Sequence, residues 1–353
     1  MKNRKILSIS CILLLMVVFS SASFAKVISF VTDPIGYSTY GSTSALANII
    51  NKYNDVDLEL KVKPTTGAIE IAGLFATGEA QMGVHNSMDS PDVWLTEGEF
   101  AVYDEVEKVI PMRLLFFGGP FFDSALTYEG TGIKTGADMA GKRVVADFTA
   151  APEDTAKAQA FLASWNLTKD DVLFIKAANT GDGVRMLISG RADVVGDMVL
   201  NNADAIELDA KKGARWLSWN TSPDAMERMA AVLGEDVVEK FMFTEVEPHP
   251  ALSGIKEKTT MIRFDDYYMC RADQISDEEA YGIVKVLLDH LDEVREAHAN
   301  LSLIISPEYM VSDSNTVPYH SGVVKLFKDR GLWTEKHETR QNELLALEKE
   351  MLK

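Results

Sequence analysis

Four short stretches hold the residues best suited to gripping a small ligand: GYSTYGS at 36–42, PTTGAI at 64–69, DFTAAP at 147–152 and NTGDGV at 179–184. Each is rich in Gly, Ser or Thr and runs into an apolar pattern of helical period. Free amide groups and hydroxyls would therefore converge at a helix start, where the partial positive charge of the helix favours an anion. The same residue types are ordinary caps and turn formers, so one such loop signifies little. Four of them, set in register by an internal repeat, point to a site for a small anion or zwitterion. The candidates are Tyr37, Ser38, Thr39 and Tyr40, whose rings and hydroxyls could close over a ligand; Thr66, Gly67 and Ala68; Thr149; and Thr180, Gly181 and Asp182. His85, Asn86 and Ser87, and Asp197 further on, stand at two more strand ends. Arg113, Arg185 and Arg263 could supply a countercharge to a carboxylate, although a surface ion pair is the commoner role for each taken alone.

Chemistry of other kinds finds little support. There is no Gly-x-Ser-x-Gly elbow, no His-Glu-x-x-His, no phosphate loop ending in Gly-Lys-Ser/Thr and no cysteine cluster. No catalytic residue, metal or cofactor is expected. His290 and His298 share a helical pattern but are two turns apart rather than one, which suits a metal poorly. Asp265-Asp266 reads as a strand edge or turn rather than a catalytic pair.

The elements that must position these residues come in a repeated order. TTGAIEIAGLFATGEAQMGV (65–84) and NTGDGVRMLISGRADVV (179–195) share one grammar: Thr-Gly, a short apolar helix pattern, then Gly, a charge and Ala. Ile71, Leu74 and Phe75 in the first copy, and Val184, Leu187 and Ile188 in the second, fall at i, i+3, i+4. Each copy follows a strand, a loop, a helix and a second strand, so the repeat is a whole β-α-β-α unit. Alternation of this kind gives parallel or mixed sheets with right-handed crossovers. The fold expected is α/β, with two parallel or mixed sheet lobes. Lobe 1 is expected over 26–125, with 246–353 returning to pack on it, and lobe 2 over 126–245. A break at Gly118-Gly119-Pro120 and one amphipathic helix of about six turns over 277–301 complete the reading.

Residues 1–25 read as a cleaved secretory signal: three basic residues, an apolar run too short to span a bilayer, and a small-x-small site at Ser23-Phe24-Ala25. Its removal would take three of the 35 basic residues and none of the 53 acidic ones, moving the formal charge from −18 to −21. Such a chain repels nucleic acid, and capture of an anion would rest on local amide dipoles and any arginine in the cleft. Only Cys270 would remain, so no internal disulfide can form; it reads as a buried, inert thiol.

GYSTYG, TTGAIEIAGLFATGEAQMGVHNS, GIKTGADMAGKRVVAD, NTGDGVRMLISGRADVV and VPYHSGVVKLFKDRGLW, taken in order, resemble the TAXI class of extracytoplasmic receptors of TRAP transporters. The resemblance implies a periplasmic, monomeric receptor with the bilobal fold of type II-like periplasmic binding proteins, two lobes joined by a hinge, that closes on a small organic acid or amino acid, such as glutamate or 2-oxoglutarate, and delivers it to a TRAP permease. It would place the ligand shell at Tyr37 to Tyr40, Thr66 to Ala68, Asn86 and Ser87, Thr149, and Thr180 and Gly181. Ala68, Asn86 and His85 depart from the family's usual residues. A receptor for an ATP-driven importer or a sensor kinase, and an exported enzyme on the same scaffold, are the alternatives.

Overall fold

The computed structural model describes residues 25–353 apart from 150–151, 236–237, 239–240, 251 and 305. The expected signal peptide lies outside the described residues but for Ala25. The first β-α-β-α unit is β1 (Lys26–Thr32), α1 (Ser38–Tyr53), β2 (Leu58–Pro64), α2 (Ala68–Ala76) and β3 (Met82–Asn86), followed by α3 (Ser90–Leu95) and the long β4 (Met112–Tyr128). The second is β5 (Arg143–Phe148), α4 (Pro152–Ser164), β6 (Leu173–Ala177), α5 (Thr180–Ile188), β7 (Val194–Val199) and α6 (Ala203–Lys212). Then come β8 (Ala214–Trp216), α7 (Pro223–Leu233), β9 (Met242–Val246), β10 (Thr259–Arg271), α8 (Asp277–Asp289), α9 (Leu291–Ala297), α10 (Ser321–Asp329) and α11 (Glu335–Met351).

The fold is α/β and bilobal. One mixed sheet runs β2-β1-β3-β10-β4-β7-β5-β6, with β8 on β4 and β9 on β10. β1 is parallel to β2 and β3, and β5 is parallel to β6 and β7; both β10 and β7 pair antiparallel with β4. The two parallel halves thus run in opposite senses, so their carboxyl ends face one another across the β4–β10 pair. That is where ligands collect in open α/β sheets.

Two hydrophobic cores flank this pair. The first joins Ile28, Phe30, Leu46, Phe75 and Trp94 to Tyr268, Leu287, Val317, Phe327 and Leu344, from opposite ends of the chain. The second joins Val144, Phe161, Leu187, Val195 and Trp219. Val246, Leu252, Ile255, Met261 and Ile262 also pack in the second. The stretch 246–262, expected on lobe 1, therefore sits with lobe 2, because β9 turns back to pair with β10 on that side.

Two further expectations are corrected. Gly118-Gly119 does not break the chain: β4 continues through it, with two residues opposite one of β10 between the pairs Phe117–Tyr267 and Pro120–Asp265. An added Cβ would meet the Tyr268 ring at 2.5 Å from Gly118 and the Asn300 carbonyl oxygen at 2.2 Å from Gly119, so the glycines permit the close approach. The six-turn helix is two helices, parted at His290, whose backbone (φ −118, ψ 30) leaves the helical region while its ring stacks on Tyr53 at 3.7 Å. No helix of the described residues is long and apolar enough to cross a membrane.

Candidate functional site

The start of α1 comes closest to a site shared between lobes. Tyr37 stands at its N-cap, half-exposed. Its phenol is pushed up by burial and then by the charges of Asp154, Asp33 and Glu153. Asp154 and Glu153 belong to the first turn of α4, so the first helices of the two repeats face each other here. The Thr39 hydroxyl donates to Asp33 at 2.6 Å, and the Ser38 Oγ is buried without a partner. Tyr40 is part-buried in the first turn.

The two Thr-Gly helix starts are closed from within the chain. The Thr66 amide and hydroxyl donate to Glu70 at 2.7 and 2.8 Å, which holds the Glu70 carboxyl below its ordinary range. Gly67 adopts φ 133, ψ −164, and Ala68 begins α2. At the second start, Asn179 accepts from the Asp182 amide at 2.9 Å. Asp182 in turn pairs with Arg185 at 2.6 Å, beside Thr180 and Gly181. A carboxylate oxygen at the first start and an asparagine oxygen at the second thus already stand where an anion was expected.

The remaining candidates divide. Asn86 accepts from the Met88 and Asp89 amides and donates to Asp89, shaping its own turn. Ser87 accepts from the Asp265 amide and stitches β3 to β10. Thr149 is exposed, its amide bonded to the Ala177 carbonyl. His85 is only 5% exposed, packed edge-on to Phe100, and neither ring nitrogen has a hydrogen-bond partner. Asp197 is not open to a ligand. It lies 2.9 Å from the Lys157 ammonium, which also reaches Asp123 at 2.5 Å and Asp154 at 3.2 Å.

None of the three arginines is available in the cleft. Arg113 pairs with Glu348 of α11, Arg185 with Asp182 and Asp204, and Arg263 with Asp265 and the Tyr309 hydroxyl. Arg263 instead lines a pocket of about 650 Å3 with Phe117, Asp265, Tyr309, Asp313 and His337, under the C-terminal helices, which holds none of the expected ligand residues. His290 and His298 are packing residues, and no group of His, Cys, Asp or Glu among the described residues is arranged to hold a metal.

Sequence reasoning passed over three residues that the structure brings forward. Asp33 follows directly on β1. Its carboxyl is pushed up by burial, with the Thr39 hydroxyl and the His85 ring opposing. Asp266, read as edge or turn, is instead in β10, a strand paired on both sides, opposite the Gly118-Gly119 bulge. It is 2% exposed, and its carboxyl is raised well above the ordinary range by burial, then by the charges of Asp33 and Asp265. Lys157, the third, is a lone lysine in an alanine-rich helix. The signal for Asp266 was an acid doublet inside an aromatic strand pattern, a context in which acids are rarely buried without a role.

A comparison with curated protein sequences finds no match. Solved structures with general similarity include PhnD1 from Prochlorococcus marinus in complex with methylphosphonate, at 10% identity and TM-score 0.45, covering 88% of this chain and 100% of that one. A second is the periplasmic sulfonate-binding protein SsuA of a putative sulfonate ABC transporter from Methylobacillus flagellatus, at 13% and 0.45, covering 86% and 85%. A third is a binding protein component of an ABC phosphonate transporter from Pseudomonas aeruginosa, at 11% and 0.44, covering 93% and 98%. A family model matches residues 30–331, and it is that of the NMT1-like family. This match overturns the assignment to the TAXI class of TRAP receptors: the motifs quoted for that resemblance lie almost wholly inside a region that the other family describes. They are glycine-rich helix starts and strand ends, which recur wherever two α/β lobes face each other. The chain belongs to the NMT1-like family.

Proposed function

We propose that this chain is an extracytoplasmic solute-binding receptor of an ABC-type importer, which captures a small solute between its lobes and presents it to a membrane permease. The observation that carries the reading is the opposition of two β-α-β-α halves across one crossing pair, with Tyr37 of one within the field of Glu153 and Asp154 of the other. A ligand touching both halves favours the closed arrangement because only there does it gain both sets of contacts. The apolar run at residues 1–25 supports export to the periplasm, and the titles of the similar structures supply the importer class. The phosphonates and sulfonates named there are candidate solutes, as are the amino acids.

Thermal unfolding in the presence of single small solutes tests the reading. A solute at about 100 times its Kd adds about 2.7 kcal/mol to stability, a clear rise in Tm. It should be recovered unchanged, one per chain, after denaturation. A panel of phosphonates, sulfonates, amino acids and polyamines with no shift in any member would sink it.

A further inference from the structure

Resting on the receptor reading, we infer that the cleft binds its solute through a cationic amine, seated between Asp33 and Asp266 where the carboxyl ends of β1 and β3 meet the middle of β10.

The first observation is what the rim lacks. The segments leaving the strands (33–40, 65–68, 86–90, 149–155, 178–182 and 199–204) hold six acidic residues and no Lys or Arg. The arginines that could have reached in are spoken for by Glu348, Asp182, Asp204 and Asp265. The lysine that reaches this rim, Lys157, is already shared among Asp123, Asp154 and Asp197, so a purely anionic solute would find no uncommitted cation there.

The second is a set of unmet polar groups. Among the described residues, Asp266 is buried with no hydrogen-bond donor to its carboxyl, and Asp33 is served by the Thr39 hydroxyl alone. Neither has a lysine or arginine at ion-pair distance. β3 lies between β1 and β10, with Val31 opposite Gly83 and Asp266 opposite Asn86, so Asp33, directly after β1, comes level with Asp266 at the same strand end, and its charge acts on Asp266 there. A buried carboxylate without a partner is strongly unfavourable. An ammonium carries three donors and no acceptor, and two carboxylates offer it four acceptor oxygens.

The third is that the other half of the molecule contains the same arrangement, filled. Asp123 on β4 and Asp197 on β7 form a buried acid pair beside the crossing strands, and there a lysine ammonium, Lys157, sits among Asp123, Asp197 and Asp154. The first lobe has the acid pair and no lysine. The ligand supplies what the chain does not.

Matched pairs of probes that differ only in the amine decide the matter: 2-aminoethylphosphonate against ethylphosphonate, taurine against ethanesulfonate, glutamate against glutarate. Each is measured by calorimetry and Tm on the full protein, with putrescine as an amine without an anion. At least one amine-bearing member should bind at least about tenfold tighter than its twin. Asp266→Asn and Asp33→Asn, each shown folded by circular dichroism, should each remove that preference. If twins without an amine bind as well or better, or if both variants bind the amine probes like the parent chain, this inference falls and the receptor stands. If no probe of either kind binds, both fall.

Discussion

Gly67 and Gly181 occupy the same point in two repeated phrases, yet each needs glycine for its own reason. Gly67 has open space where a Cβ would go, but its φ of 133 with ψ −164 is a conformation that side chains other than hydrogen rarely adopt. Gly181 has no such backbone; a Cβ there would come within 2.5 Å of the Asp204 carboxylate, which holds Arg185 on the surface. Gly67→Ala should therefore lower stability by about 1–3 kcal/mol. Gly181→Ala should cost less than about 1 kcal/mol, since a flexible carboxylate can swing aside and an exposed ion pair is worth little. Urea unfolding of the two variants compares them directly, and equal losses would contradict this account. The repetition itself was legible from residue spacing, as were the capping types. What the caps point at was not: Glu70 turns back on its own helix start while Asp182 turns to Arg185, and no local pattern distinguishes an acid that caps from one that leaves the site open. Asp33 and Asp266 were missed for the converse reason. Their significance lies in meeting each other across 233 positions of sequence, through strand pairing that neither stretch reveals alone.

Strand and helix types were legible wherever the apolar period was clean, as in α2, α5, β5 and β7. The elements misjudged were those whose continuity depends on neighbours. Gly-Gly-Pro in β4 has the composition of a turn, but pairing with β10 before and after it carries the strand through as a bulge. His290 has no helix-breaking character, yet its stacking on Tyr53 of α1 ends α8. The bulge makes a sharp demand at Gly119, where a methyl would lie 2.2 Å from the Asn300 backbone oxygen. Backbone cannot yield as a side chain can, so Gly119→Ala should destabilise by about 1–3 kcal/mol. It should also weaken binding of any solute found above, because the bulge positions Asp266 at the base of the cleft. A variant with lowered Tm and unchanged affinity would mean that the bulge serves stability alone.

At the scale of the whole molecule, the buried acids set how stability follows pH. Burial, followed by the field of Asp123, pushes the Asp197 carboxyl well above its ordinary range. Burial does the same to Asp266, and to Asp33 more modestly. Burial also opposes ionisation of Asp123, but the Lys157 ammonium and its hydrogen bonds hold that carboxyl below the ordinary value. Between the unfolded carboxylate value and the raised folded ones, the native state binds more protons than the unfolded chain does. Stability accordingly rises as pH falls from about 7 through this window. It turns down as carboxyls lowered in the folded state become protonated below their unfolded values, Glu70 and Glu279 below 4.5 and Asp138, Asp193 and Asp209 below 3.8. Tm scans should show this maximum on the acid side of neutral, and Asp197→Asn should flatten the rise towards it; a slope of the opposite sign would exclude the assignment. The two cores carry a different consequence, one of timing. The second is built from a single unbroken run of chain, from Ala125 to Ile262, whereas the first needs Ile28 and Leu344 in one cluster. During synthesis, the second half can consolidate as soon as it emerges. The first must wait, open, for the last helix, because closing a loop that long is possible only once its far end exists.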